Sequence, residues 1–332
     1  MHRVRLYPKA TQVERLQSML DVTRQTYNAL LDERRYAWKA RGINITAKMQ
    51  YAEITALRAE DARFASVYRE CQDAVLHRLD LAFAAFFRRI KRGEKAGYPR
   101  FRSAGRWKQL EFSHGDRALK LDAAQKRVRI PGVGTVPLRK GRAIPAFGRA
   151  FLAERNGRWW AIFECEREPE ALPLTGRIVG IDRGVHVLAA TSDGELLRNG
   201  KHGERLHRIV RRHQRALDAV GVKDTRGRCL NRHDPARIAA VQRLARAKER
   251  EANARLDGLH KAANRIVRSA DVIVLEALDV GAMTRSAKGT LTAPGRNVAA
   301  KSGLNRALLD AGFGKLATLI REQTVFVKRY AA

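Results

Sequence analysis

Two apolar runs in this chain each end in a carboxylate: Ile178-Val179-Gly180-Ile181-Asp182, followed by Arg183-Gly184, and Val272-Ile273-Val274-Leu275-Glu276. A strand end holds an acid rigidly, and two neighbouring parallel strands bring a pair of acids to one place. Oxygen ligands so placed suit Mg²⁺ in phosphoryl transfer. In a two-metal site one ion activates water while the other stabilises the leaving oxygen. Two acids hold two ions poorly, and acids also end strands as solubilising caps. The pattern therefore takes its meaning from the elements around it.

Those elements fall into three stretches. Residues 3–7 read as a strand closed by Pro8, followed by a long helix whose capping box is Thr11-Gln12-Val13-Glu14. Its apolar face is Leu16, Leu20, Tyr27 and Leu30, and it ends at Gly42. A second helix begins near Thr46, with Ile54 and Leu57 on its apolar side. A third spans 66–92, where the spacing of Leu76, Leu79, Phe83, Phe86 and Ile90 marks a core stripe. From 110 to 168 the period changes to short strands at 118–121, 126–130, 135–139, 150–155 and 159–165, with Asn156-Gly157 as a hairpin signal. They point to a small barrel, with the N-terminal strand as a candidate to complete it.

Pro169, Pro173 and Gly176 mark a linker. Beyond it, the strand ending at Asp182 leads into a meander of strands at 187–191 and 195–198, joined at Asp193-Gly194. Basic helices over 203–220 and 235–268 separate this meander from the strand ending at Glu276. Residues 281–303 read as a flexible loop, followed by a helix over 304–322 and a strand over 324–327. No repeat of fixed period is present.

The composition narrows the partners. Among 332 residues, 66 Lys+Arg stand against 34 Asp+Glu, a formal charge of +32, while 45% apolar residues suffice for real cores. The length corresponds to about two domains at roughly 150 residues each. No run approaches the ~18 apolar residues of a membrane span, and the opening MHRVRLYPKA has no apolar h-region after its basic residues. The expectation is a soluble cytoplasmic protein with no membrane partner. Cys71, Cys165 and Cys229 lie far apart and form no C-x-x-C, which excludes a readable disulfide framework or zinc knuckle.

A positive excess of this size asks for a polyanion, and nucleic acid is the expected one. The excess is uneven. Residues 88–108 hold nine basic side chains and one acid, with Tyr98, Phe101 and Trp107 interleaved. Stacking rings among phosphate-binding cations suit single strands and irregular RNA. Residues 201–268 hold nineteen basic and seven acidic residues, which serves a solvated helix face as well as a binding one.

In combination these motifs resemble the TnpB (OrfB) family of insertion-sequence proteins. The resemblance is carried by Gly180-Ile181-Asp182-Arg183-Gly184, Ser192-Asp193-Gly194-Glu195, Leu256-Asp257-Gly258-Leu259-His260-Lys261 and Val272-Ile273-Val274-Leu275-Glu276 in shared order. Arg5-Leu6-Tyr7-Pro8, Tyr27-Asn28-Ala29-Leu30-Leu31, Gly97-Tyr98-Pro99-Arg100-Phe101-Arg102 and Lys301-Ser302-Gly303-Leu304-Asn305-Arg306 extend it over essentially the whole chain.

The resemblance implies a mixed α+β and α/β architecture. An RNase H-like (RuvC) domain over 177–332 would join a wedge-type β-barrel formed by 1–10 and 110–168, with a helical recognition module inserted at 11–109. It also implies a guide RNA from the transposon end, a double-stranded DNA target and a Mg²⁺ or Mn²⁺ cofactor. Asp182 and Glu276 would be the catalytic, metal-binding acids. Arg100, Arg102 and Lys108 would bind phosphate, and Tyr98, Phe101 and Trp107 would be available for stacking. Arg255, His260 and Lys261 would position the scissile strand.

Family members continue into a four-cysteine zinc ribbon and a third catalytic Asp, whereas this chain ends at Ala332. Zinc is therefore not expected, and Asp310 reads as a surface or capping residue, Asp271 and Asp279 as turn acids. Metal should be weakly held and cleavage lost or impaired, because removing one member of a cooperating site costs orders of magnitude. The remaining readings are an RNA-guided factor that occupies DNA without cutting it and a basic RNA-binding protein outside the family.

Overall fold

Leu16, Leu20, Tyr27, Leu30 and Leu31 are buried along one side of a helix that stops where Gly42 adopts φ +65°, a conformation glycine takes without steric cost. This is α1 (Ala10–Arg41), preceded by β1 (His2–Leu6). A computed structural model describes the whole chain except Arg142, Arg167, Pro169, Leu291, Val325, Phe326, Ala331 and Ala332, and it divides into two compact units, 1–166 and 167–332. The cap of α1 differs from the expected box. The helix starts directly after Pro8-Lys9, so Thr11 falls inside the first turn and Gln12 Oε1 accepts the Lys9 N–H at 3.0 Å.

The first unit continues with α2 (Ala47–Glu60), α3 (Ala62–Ala65) and α4 (Arg69–Lys91). Thr46 caps α2, its hydroxyl accepting the Met49 N–H. The apolar stripe of α4 is core only in its first half. Leu76 and Leu79 are buried, whereas Phe83 and Phe86 meet Tyr98 edge-on and Ile90 is 50% exposed.

The strands are β2 (Gln109–Phe112), then, after the single turn α5 (Gly115–Ala118), β3 (Lys120–Leu121), β4 (Arg127–Ile130), β5 (Gly134–Pro137), β6 (Phe147–Arg155) and β7 (Arg158–Cys165). The expected strand at 118–121 is short because α5 takes its first residue; Gly115 lies so close to Ala150 that a Cβ there would stand 2.5 Å from the alanine methyl. One antiparallel sheet has the order β1-β7-β6-β2, and a second has β3-β4-β5. Asn156 and Gly157, at φ +52° and +72°, make the β6–β7 turn, with the positive angles a tight hairpin requires. The sheets meet where Leu6 bridges Leu138, reinforced by the Tyr7 N–H to Pro137 C=O bond at 2.9 Å. Since β2 and β3 do not pair, no closed barrel forms among the described residues. Helices and sheets share one core, from Leu16 and Leu79 to Leu110, Val128 and Phe163.

The second unit comprises β8 (Glu170–Pro173), β9 (Ile178–Asp182), β10 (Val187–Thr191), β11 (Leu196–Arg198), α6 (His202–Val220), α7 (Pro235–Ser269), β12 (Val272–Leu275), α8 (Val280–Met283), α9 (Val298–Ala311), α10 (Phe313–Thr324) and β13 (Val327–Tyr330). Its main sheet has the order β11-β10-β9-β12. The first three strands form an antiparallel meander, and the α6–α7 hairpin carries the chain over to β12, parallel to β9. Leu259, Ala263, Ile266 and Val267 of α7, with Leu316, Leu319 and Ile320 of α10, cover the face that bears Val179 and Ile181.

Three expectations change here. The linker after 169 contributes β8, which pairs in parallel with β13. The stretch 281–303 contains α8 and the start of α9. The single helix expected over 304–322 is two, broken at Gly312, whose φ is +72° and where a Cβ would come within 2.9 Å of Leu259 Cδ1. Val325 and Phe326 of the expected last strand lie outside the described residues.

Between α1 and α2, the fully buried Gln50 donates to the Leu30 C=O at 2.9 Å and to Glu33 Oε2 at 2.6 Å, and accepts from Arg34 Nε at 2.8 Å. Beside this knot the Glu53 carboxyl is pushed up to about 7 by partial desolvation, then by its hydrogen bond and charge interaction with Glu33. The folded state thus holds a proton that the unfolded chain releases near its ordinary pKa, and this contribution to stability is lost as pH rises toward 7. Glu53→Gln imitates the protonated form. Its Tm should exceed that of the unsubstituted chain at pH 8, and the difference should vanish as pH falls to about 4, as followed by thermal unfolding across that range.

Candidate metal centre and nucleic-acid interface

Alternation along the strands decides which way the acids point. Val179 and Ile181 are 1% and 3% exposed, so Ile178, Gly180 and Asp182 lie on the opposite face of β9. In β12, Ile273 and Leu275 turn toward the same core, leaving Val272, Val274 and Glu276 outward. The parallel register pairs Ile178 with Val272 and Ile181 with Leu275. Asp182 and Glu276, one step further on each strand, stand side by side at the carboxyl ends and on one face. Both line a shallow depression of about 420 Å³ with Ala190, Thr191, Ser192 and Val274. Gly180 forms part of its floor, held by its N–H to Ser192 Oγ at 3.1 Å. Among the described residues no third His, Cys, Asp or Glu joins the pair as a metal-binding group.

Arg183, next to Asp182, is 6% exposed. Its guanidinium donates to the Glu276 C=O at 2.6 Å and to the Phe313 C=O at 3.1 Å. In the sequence it read only as part of a motif.

In the first unit, the backbone of the 97–102 segment is fixed to α1 by Asn28, whose side chain donates to the Arg102 C=O at 3.0 Å and accepts the Arg102 N–H at 2.8 Å. Tyr98 and Phe101 are 39% and 47% exposed, and the Arg35 guanidinium lies 5.9 Å and 5.1 Å from their ring centroids. Arg100 is exposed. Trp107 departs from expectation: it is 5% exposed, packs 5.3 Å from Tyr27 and donates its indole N–H to Thr23 Oγ1 at 2.9 Å. It is a core residue with no free face to offer a base. Lys108 pairs with Glu154 at 2.5 Å. A cavity of about 540 Å³ opens here, where Arg3, Arg78, Arg102, Arg106, Lys108 and Arg155 surround one carboxylate, that of Glu154.

The α7 residues are not brought to the acids. The helix packs on the other face of the sheet, so nearness in motif order does not become nearness to the carboxylates. Arg255 is engaged internally, with Glu251 at 2.7 Å and Asp310 at 3.0 Å. Asp310 Oδ1 also accepts the Gly203 N–H at 2.8 Å, which makes it a partly buried bridge between α6, α7 and α9 rather than a surface residue. His260 Nδ1 lies 3.3 Å from Gln323 Nε2, and Lys261 is 76% exposed and paired with Asp257. Asp271 accepts from Thr175 and Gly176, and Asp279 caps α8.

Residues 162–287 match the OrfB_IS605 family, described as "Probable transposase", and residues 1–42 match that family's helix-turn-helix domain. "Putative RNA-guided DNA endonuclease InsQ" of Escherichia coli (strain K12) is 31% identical over 237 residues, 71% of this chain and 54% of that protein. The chain belongs to the OrfB (TnpB) family.

The OrfB chain thus spans about half the length of the Escherichia coli relative. "Putative RNA-guided DNA endonuclease" of Streptomyces pristinaespiralis is 26% identical, with 98% of this chain and 75% of that one covered. Among solved structures, Cas12f1 in a complex with sgRNA and target DNA has the same fold, with a TM-score of 0.50 at 11% identity, covering 98% of this OrfB chain and 73% of the other. The segment matching the helix-turn-helix model is here β1 and the single helix α1. No described helix is long and apolar enough to cross a membrane.

The two aromatic environments can be separated by substitution. Trp107→Ala should cost about 3–5 kcal/mol in denaturant unfolding, as for a large ring removed from a core. Phe101→Ala, with its half-exposed ring, should leave the midpoint nearly unchanged.

Proposed function

We propose that this OrfB-family chain binds a guide RNA and target DNA and carries a metal-dependent nuclease site centred on Asp182 and Glu276. The observation that carries the reading is the parallel register of β9 and β12, which sets both carboxylates on one open face. The meander followed by a parallel strand supports an RNase H-like (RuvC) domain over 177–332. The open sheets support a wedge-type domain formed by 1–10 and 110–168, with 11–109 as the recognition module.

Two adjacent carboxylates are a hard-oxygen donor set that fits Mg²⁺ or Mn²⁺, with water and substrate phosphates completing the coordination. When bound, the metal supplies Lewis-acid stabilisation of charge on phosphoryl oxygens. The chain's own part is to hold the two acids side by side, with room above Gly180 for a strand to approach. Two acids favour weak metal retention and impaired cleavage, so RNA-guided occupancy of DNA without efficient cutting is the second reading.

The cations supply most of the binding. Arg100 and Arg102 are offered to phosphate and the exposed rings of Tyr98 and Phe101 to bases, while base pairing with the guide reads the sequence. Lys108 would act beside the Glu154 it already pairs with. Such partners imply work at the nucleoid of a prokaryotic cytoplasm.

The purified chain should carry a structured RNA, and its affinity for that RNA should fall by about three orders of magnitude between 50 and 200 mM salt, as for six or more phosphate contacts. RNA-free protein whose DNA binding ignores salt would overturn the partner assignment. Asp182→Ala and Glu276→Gln should keep the RNA and abolish whatever Mg²⁺-dependent cleavage of guide-matched DNA the chain retains. Cleavage at an unchanged rate in either variant rules out the pair as the site.

A further inference from the structure

We infer that Arg183 is the positioning residue that holds the Asp182–Glu276 pair together; this rests on the reading of the pair as metal ligands. The backbone ladder between β9 and β12 ends at Ile181 and Leu275, so the acids lie one residue beyond its last pair. There a side chain takes over from the ladder. Arg183 follows Asp182 directly, and its guanidinium donates to the backbone carbonyl of Glu276 itself. Its second bond, to the Phe313 C=O, anchors the same guanidinium to the start of α10, just after the Gly312 break. One side chain therefore fixes both acid-bearing strand ends against the helix behind them.

The charge on this group needs a reason. A buried guanidinium costs free energy unless it is paired, and among the described residues the partners of Arg183 are backbone carbonyls rather than carboxylates. Its Nε is also buried without a hydrogen-bond partner. A neutral side chain would tie strand to helix at lower cost. What Arg supplies is a planar fork that reaches two carbonyls at once. The loop that carries it is equally constrained: a Cβ on Gly184 would stand 2.7 Å from the Val187 carbonyl oxygen, and Asn199 Nδ2 donates to the Val185 C=O at 2.7 Å.

The test uses the full chain with its bound RNA and Mn²⁺ as the probe, with affinity read by calorimetry or electron paramagnetic resonance. Arg183→Met should weaken Mn²⁺ binding by about 10- to 100-fold, the range seen when an outer partner of metal ligands is lost. RNA affinity should not change, and Arg183→Lys should fall between the two proteins. Asp182→Ala and Glu276→Gln provide the reference for loss of the site. If Arg183→Met binds Mn²⁺ within twofold of the unsubstituted chain while Asp182→Ala does not, the positioning role is overturned and the metal reading stands. If the unsubstituted chain binds Mn²⁺ no better than Asp182→Ala and Glu276→Gln, the metal reading itself fails. Should the methionine variant not fold by circular dichroism, the lysine variant decides, and unchanged Mn²⁺ affinity in it overturns the role.

Discussion

Everything chemical in the second unit depends on the register in which β12 lies along β9. Strand side chains alternate, so a slip of one residue would send Glu276 into the core among Leu259 and Ile266 while Asp182 stayed outside. The apolar residues guard against this. Val179, Ile181, Ile273 and Leu275 must all face α7 and α10 together, which excludes any slip by an odd number of residues and keeps both acids on the open face. Burial on one side thus specifies the chemistry on the other.

Charge is distributed by a different rule. Six cations of the first unit surround a cavity with a single acid, whereas those of α7 near the sheet are largely spent on internal partners: Arg255 with Glu251 and Asp310, Lys261 with Asp257. A count of basic residues cannot separate these two uses. What distinguishes them is whether a carboxylate stands three or four residues away on the same helix or across a packed interface. Helix α6, with no buried residue at all, keeps its arginines toward solvent.

The acids were legible because apolar runs ending in Asp182 and Glu276 survive without context, and most strands and helices followed from periodicity and from glycines such as Gly42. The fate of Trp107 was not legible. Its hydrogen-bond partner Thr23 is 84 residues away, and a tryptophan among arginines looks the same in sequence whether it stacks on a base or fills a core. The role of Asp310 depended on a tertiary approach to Gly203, and that of Arg183 on a carbonyl at the end of another strand. The break at Gly312 is signalled only by the glycine itself, within a stretch that otherwise has the pattern of one helix. Closure of the barrel is not legible either, because hairpin signals specify which chain neighbours pair, not whether the edge strands β2 and β3 meet.

The parallel pairing of β9 with β12 also sets an order of events during synthesis. Residues 183–271 must leave the ribosome before Glu276 can, and among them is the whole α6–α7 hairpin. The first unit, with its arginine-lined cavity, is complete earlier still. Long-range parallel pairing is slow relative to helix and hairpin formation. A nascent chain therefore presents its cationic surfaces while its two acids are still apart, and a polyanion captured at that stage is already in place when the carboxylates come together.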